Sequence, residues 1–197
     1  MIAEDLLYHY DAEIKTYEKN YPIFNEGNLP FYYHQIKEGS VKLNNYKDDG
    51  KEFIHNIFTD GQSIGESILF IDFPYPMNAI SIENTKVLQL PKDRFLELLN
   101  NHPEASLQLN KALSQRLYYK YIMLQNLSSS CPVTRLMSLM DYLKSFHHSH
   151  EKFSFKIPLT RQQMACLTGL CVETVIRNVK KLARKEVIII KDRKIYY

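Results

Sequence analysis

Five of the six glycines fall between residues 27 and 65, and this clustering constrains the fold more than any other feature. Gly27, Gly39, Gly50, Gly61 and Gly65 punctuate a stretch of short apolar runs: Val41-Lys42-Leu43, Phe53-Ile54-His55-Asn56-Ile57-Phe58, Ala79-Ile80-Ser81-Ile82 and Val87-Leu88-Gln89-Leu90. Some alternate apolar with polar, as half-buried strands do. Glycine at close intervals suits tight turns with positive φ. Asp49-Gly50, between Leu43–Tyr46 and Phe53-Ile54, is a hairpin signal. Residues 18–91 therefore read as a small antiparallel barrel or sandwich.

The period then changes. Phe95, Leu98 and Leu99 predict a short helix that stops near Asn100-Asn101-His102-Pro103. Leu109, Leu113, Leu117, Tyr121, Leu124 and Leu127 recur at three- or four-residue steps without Gly or Pro, the pattern of a long amphipathic helix. Such a helix carries more apolar stripe than one small barrel covers, and a dimer seam through Leu113, Leu117, Tyr121 and Leu124 is the natural solution. Ser128-Ser129-Ser130-Cys131-Pro132 reads as a hinge. The expected class is α+β, divided into residues 1–103, a long helix with hinge at 104–130, and a C-terminal domain at 131–197.

In that last part, Val133–Phe146 predicts a helix with Leu136, Leu139, Met140 and Leu143 on one face, and Phe153–Ile157 alternates as a strand. The end, Val187–Ile190 and Ile195–Tyr197, predicts a hairpin. Between them, Thr160 is a good N-cap and Gln163 completes a capping box. Ala165 lies four residues before Gly169, and Val175 six after it. That is helix-turn-helix spacing: the small residue lets two helices cross, the glycine permits the turn, and the β-branched residue fills the core between them. Val175, Val179 and Leu182 face inward. Glu173, Thr174 and Arg177 fall on the other face, near the start of the second helix, where a recognition helix meets base edges. Arg reads guanine bidentately and Glu accepts from cytosine N4. Arg184, Lys185, Lys191, Arg193 and Lys194 are placed to hold phosphates.

The charge is divided accordingly. Residues 128–197 hold 13 Lys+Arg against 5 Asp+Glu, a net of +8, whereas the preceding residues sum to −5. One half suits a polyanion and the other does not. The 45% apolar and 24% charged residues describe a globular chain rather than a disordered one. No apolar run is long enough to span a membrane. Met1-Ile2-Ala3-Glu4-Asp5 lacks the order of a secretory signal. Cys131, Cys166 and Cys171 are the only cysteines, too few and too unevenly spaced for a disulfide framework. A reducing cytoplasm is the expected compartment. His147, His148 and His150 suit a solvated loop better than a divalent-metal site. No convergent acid, base or nucleophile set is evident, so the expectation is not an enzyme.

Together these parts resemble the catabolite-activator/fumarate-nitrate-regulator (CRP/FNR) family of bacterial transcription factors: a cyclic-nucleotide-binding-like β-roll, a long dimerisation helix and a winged helix-turn-helix. Asn25-Glu26-Gly27, Lys37-Glu38-Gly39-Ser40-Val41, Asp49-Gly50-Lys51-Glu52 and Gly61-Gln62-Ser63-Ile64-Gly65-Glu66 follow the family's turns in order. Leu159–Gln163 and Glu173–Arg177 resemble its DNA-binding motif. The resemblance implies a homodimer on a two-fold symmetric operator of double-stranded DNA, in contact with RNA polymerase. It places Thr160, Arg161 and Gln162 near phosphates, and Glu173, Thr174 and Arg177 on bases. Val172 stands where many members carry a basic residue, so that base contact is lost or replaced by a thymine methyl. Asn178 stands at a usually apolar position, which predicts local repacking.

The effector pocket departs further. Gly65-Glu66 match the family's ribose-binding pair, although a structural turn explains them as well. The Arg-Ser pair that holds the cyclic phosphate falls at Met77-Asn78, and the helix positions that meet the purine become Lys120 and Tyr121. Lys86 is the only basic residue between Gly65 and Val87. An unpartnered buried phosphate costs several kcal/mol, so cyclic AMP is disfavoured. The effector is another small molecule, or none is needed. No cofactor is expected: the first 130 residues hold no cysteine for an iron–sulfur cluster, and His9, His34, His55 and His102 form no haem-ligand pattern. The alternative is a small-ligand signalling module whose helix-turn-helix does not act on DNA, and operator binding separates the two.

Overall fold

The computed structural model describes residues 2–145, 147, 149 and 151–197. The chain divides into two compact units, residues 1–117 and 118–197. The boundary falls inside the long helix rather than at either of its ends.

The first unit opens with α1 (Glu4–His9) and continues through β1 (Glu13–Tyr17), β2 (Pro22–Phe24), β3 (Tyr32–Glu38), β4 (Ser40–Tyr46), β5 (Glu52–Thr59), β6 (Ser63–Ile64), β7 (Asn78–Ser81) and β8 (Thr85–Pro91). The strands form two antiparallel four-stranded sheets, in the orders β1-β8-β3-β6 and β2-β7-β4-β5. The hairpin predicted at Asp49-Gly50 joins β4 to β5, with Gly50 at φ 76.

The β3–β8 pair is buried on both faces. Ile36 joins Phe24, Val41, Phe58, Ile64 and Tyr75 between the sheets. Tyr33, Leu88 and Leu90 point the other way, toward Phe95 and Leu98 of α2 (Lys92–Asn101). The Tyr33 and Phe95 rings stack at 4.3 Å. Double coverage explains why Tyr33-His34-Gln35-Ile36 runs buried without alternation.

The long helix, α3, is Pro103–Ser128, about 39 Å at 1.5 Å per residue. Its apolar stripe is split. Leu109 is buried and Leu113 packs against the first unit's own core, so Leu113 does not belong with the exposed positions of the predicted seam. Leu117, Tyr121 and Leu124 are 53%, 61% and 68% exposed.

The second unit contains α4 (Pro132–Lys144), α5 (Arg161–Thr168), α6 (Val172–Arg184), β9 (Ile189–Lys191) and β10 (Lys194–Tyr196). Within it, the α3 residue Tyr119 packs on Tyr142 at 4.5 Å. The predicted inward stripe Val175, Val179 and Leu182 is buried, as are Leu136, Leu139 and Met140. The strand expected at Phe153–Ile157 reduces to a single bridge, Lys156 to Tyr196. Phe153 has φ 65, which turns the chain out of extended geometry, and Pro158 has no N–H to extend the ladder. β9 and β10 join through Asp192-Arg193, both in the left-handed region, the two-residue turn whose twist matches a hairpin.

Candidate nucleic-acid interface

Local chemistry sets the helix-turn-helix. The Gln163 amide donates to Thr160 Oγ1 at 3.1 Å, and the Thr160 amide donates to Gln163 Oε1 at 2.8 Å. This closes the capping box of α5. Gly169 ends α5 at φ 65, and its N–H returns to the Ala165 carbonyl. Ala165 and Val175 are buried at the crossing.

On α6, Glu173 and Arg177 are exposed, whereas Val172 and Thr174 are half-buried. A groove of about 680 Å³ is lined by Glu173, Ile176, Arg177, Lys180, Lys181 and Arg184. A second hollow of about 400 Å³ brings Arg161 and Arg193 beside Ile176, Lys180 and Ile190. Lys191, Arg193 and Lys194 are exposed on the hairpin. Arg161 is partly committed, because its guanidinium donates to the Arg193 carbonyl and ties the start of α5 to the wing turn. Thr160 is occupied as a cap. Gln162 is exposed, with Nε2 3.5 Å from Cys166 Sγ. Asn178 is buried and donates back one turn to the Thr174 carbonyl at 2.8 Å, so the amide is satisfied inside its own helix.

Two features lay outside the sequence reading. Arg135 donates to the carbonyls of Ser129 at 2.7 Å, Leu127 at 3.1 Å and Thr168 at 3.2 Å, clasping the hinge to the end of α5. Cys171 is the residue at the N-cap position of α6, with Sγ 3.0 Å from Thr174 Oγ1. That hydroxyl and the Thr174 amide hold the thiol below its usual range.

The predicted effector residues do not assemble into a phosphate site. Gly65 adopts φ 71, and a Cβ there would lie 2.8 Å from the Tyr75 ring. Glu66 is 1% exposed and pairs with Arg116, a residue that no motif had marked. Arg116 also donates to the Ser63 carbonyl at 2.6 Å and lies 4.8 Å from the Phe58 ring centre. Burial holds its guanidinium down to about 10. Met77 packs against the roll core. The Asn78 amide accepts from Glu26 N–H and donates to the Asn44 carbonyl. Lys86 lies within β8 and pairs with Glu38 at 2.7 Å. Lys120 and Tyr121 are exposed in the second unit.

Among the described residues no group of three or more acidic, histidine or cysteine side chains is placed for a metal. His148 and His150 of the histidine loop lie outside the described residues. No helix among them is long and apolar enough to cross a membrane.

Comparison with known proteins places these features. Residues 14–102 match the cyclic nucleotide-binding domain, and residues 134–196 match the Crp-like helix-turn-helix domain. The transcriptional activator protein FnrA of Stutzerimonas stutzeri is 26% identical over 163 residues, 81% of this chain and 66% of that protein. The cAMP-activated global transcriptional regulator CRP of Haemophilus influenzae is 27% identical over 79% of this chain and 70% of its own length. The chain thus spans about two thirds of such relatives. Among solved structures, a CooA mutant from Carboxydothermus hydrogenoformans superposes with a TM-score of 0.84 at 16% identity, covering 98% of this chain and 85% of that one. The c-di-GMP responsive regulator CLP of Xanthomonas campestris gives 0.76 at 20%, covering 98% and 96%. With both domains matched in order, this chain belongs to the CRP/FNR family of transcription regulators.

Proposed function

We propose that this chain is a sequence-specific DNA-binding transcription regulator that acts in the cytoplasm as a homodimer on a two-fold symmetric operator, in contact with RNA polymerase. The observation that carries the reading is the exposed face of α6 and the wing. Arg177, Lys180, Lys181, Arg184, Lys191, Arg193 and Lys194 all face solvent, and among the described residues none is in an ion pair. Glu173 and Arg177 are exposed where base edges would lie, and the remaining cations supply phosphate affinity. The exposed Leu117, Tyr121 and Leu124 face of α3 supports a seam between two copies.

The effector is a molecule other than cyclic AMP, or none. Met77-Asn78 offers a cyclic phosphate no cation, and Arg116 is already engaged with Glu66 and Ser63. Selection of bound genomic fragments by the purified protein, with and without cell extract, tests both parts. A palindromic consensus supports the reading, and fragments without a common sequence overturn it. Low-micromolar cyclic AMP binding by calorimetry overturns the effector part.

A further inference from the structure

The roll contains a concavity separate from the Glu66–Arg116 pair. It measures about 330 Å³. Its walls come from β2 of one sheet and β3 and β8 of the other, closed by the Asn28–Phe31 loop and Tyr75. No Lys, Arg, Asp or Glu lines it. Neither Glu66 nor Arg116 reaches it, although Gly65 abuts two of its rings, those of Phe24 and Tyr75.

Its polar chemistry is incomplete. His34 and Tyr75 are 4% and 2% exposed, and His34 Nδ1 and the Tyr75 hydroxyl have no hydrogen-bond partner among the described residues. Buried polar atoms are nearly always paired. Both unpaired groups flank one ring: Phe24 stacks on Tyr75 at 3.8 Å and lies 5.7 Å from the His34 ring. The Tyr32 ring stands 6.3 Å from that of His34. Leu29 and Phe31, at the same opening, are exposed and leave apolar surface there for a ligand to cover.

We propose that this concavity is a binding site for a small, neutral, planar aromatic molecule carrying a hydroxyl group. The rings and Leu29 cover its faces, and the hydroxyl serves His34 Nδ1 and the Tyr75 hydroxyl. A charged ligand is disfavoured because no wall residue compensates its desolvation. The volume, at the lower end for small-molecule pockets, suits one or two fused rings. Both polar groups are neutral at pH 7, and burial moves each further from charging, His34 held down to about 4 and Tyr75 pushed up to about 12.

The test uses 2-naphthol as the probe on the full chain. The protein has no tryptophan, so excitation to the red of tyrosine absorption reads the probe's fluorescence without protein background. Saturable binding of one probe per chain is expected, with 2-methylnaphthalene at least about fivefold weaker because it cannot satisfy the two polar atoms. His34→Phe and Tyr75→Phe keep the rings and remove those atoms. Each should weaken 2-naphthol by at least about fivefold and leave 2-methylnaphthalene nearly unchanged. Either variant alone decides the point if the other fails to fold, and Leu29→Trp, which fills the opening and is read by calorimetry because it adds a tryptophan, should abolish binding of both probes. Absence of saturable binding to the unaltered chain overturns the site. So does 2-naphthol affinity that is indifferent to both Phe variants, which would leave the two atoms to ordered water.

Discussion

The two units use charge in opposite ways. Every ion pair among the described residues lies between Glu4 and Arg116, in the first unit. The second unit carries the net positive charge, yet its cations stand unpaired on α6 and the wing. A surface that solvates itself scatters both signs. One that keeps an unpaired excess of cations along one helix and a hairpin accepts self-repulsion, which an approaching polyanion relieves. The first unit instead turns a cation inward. Arg116 is spent on Glu66 and Ser63, and the charge that could have met an anionic ligand neutralises a carboxylate of the same domain.

The largest expected effect follows from that inward pair. Arg116→Met leaves Glu66 buried and unpaired and should lower unfolding free energy by about 3–5 kcal/mol. Adding Glu66→Leu should recover most of it, because a buried pair replaced by apolar residues costs little. Arg177→Met, on the exposed face, should change stability by less than about 0.5 kcal/mol. Urea unfolding of the variants at one protein concentration checks this, and equal losses for Arg116→Met and Arg177→Met would erase the contrast.

The exposed face of α3 comes next. Leu117→Glu with Leu124→Glu places charge where a seam would be dry. Light scattering should show monomers at concentrations where the unaltered chain is dimeric, with operator affinity reduced at least about a hundredfold by loss of the second half-site. An unchanged dimer moves the seam elsewhere. Leu113 is a poor choice for this test, because it packs against its own domain's core and its substitution would confound folding with assembly.

A pH series sharpens the comparison further. Burial holds His34 down to about 4, against about 6.5 when unfolded. Above 6.5 the ring is neutral in both states. As pH falls below that value, the unfolded chain takes up a proton that the folded chain refuses until about pH 4, so stability is lost across this window. Between pH 7 and 5 the loss from this residue is about 2 kcal/mol. Urea unfolding of the unaltered chain and of His34→Phe at both pH values isolates it, and equal pH dependence in the two would remove His34 as its source.

What the sequence made legible is what local chemistry encodes. The capping box needs only Thr160 and Gln163, three residues apart, and the α5 turn needs only Gly169. The glycine-spaced turns of the roll are equally local. Arg116 was invisible because its partner lies 50 positions away and nothing in the period of α3 marks it. The split of the α3 stripe at Leu113 was hidden for a related reason, since periodicity reports that a face is apolar and not what covers it. Phe153–Ile157 alternates like a strand, but Phe153 adopts a left-handed conformation that alternation cannot register.

The smallest effects distinguish the cations of the second unit from one another. Arg177 projects from α6 beside Glu173, so Arg177→Ala should cost about 1–3 kcal/mol on the preferred operator and relax preference at one G·C pair. Arg193 is on the wing turn, and Arg193→Ala should weaken all sequences alike and reduce the salt slope by about one unit. The backbone carbonyl that Arg161 grips is kept in that variant, so the α5–wing tie survives and only the guanidinium is lost. Arg193→Gly separates the remaining contribution: it also removes the charge, but relieves the left-handed strain at φ 61. The glycine variant should therefore match alanine in salt slope and exceed it in thermal stability. Titration of each variant against operator and scrambled duplexes at several salt concentrations decides the assignment. A base edge carries sequence information and a phosphate does not, so Arg177→Ala must lower operator affinity more than scrambled affinity. Equal losses on both duplexes would mean that Arg177 is one more phosphate contact and that the reading face of α6 lies elsewhere.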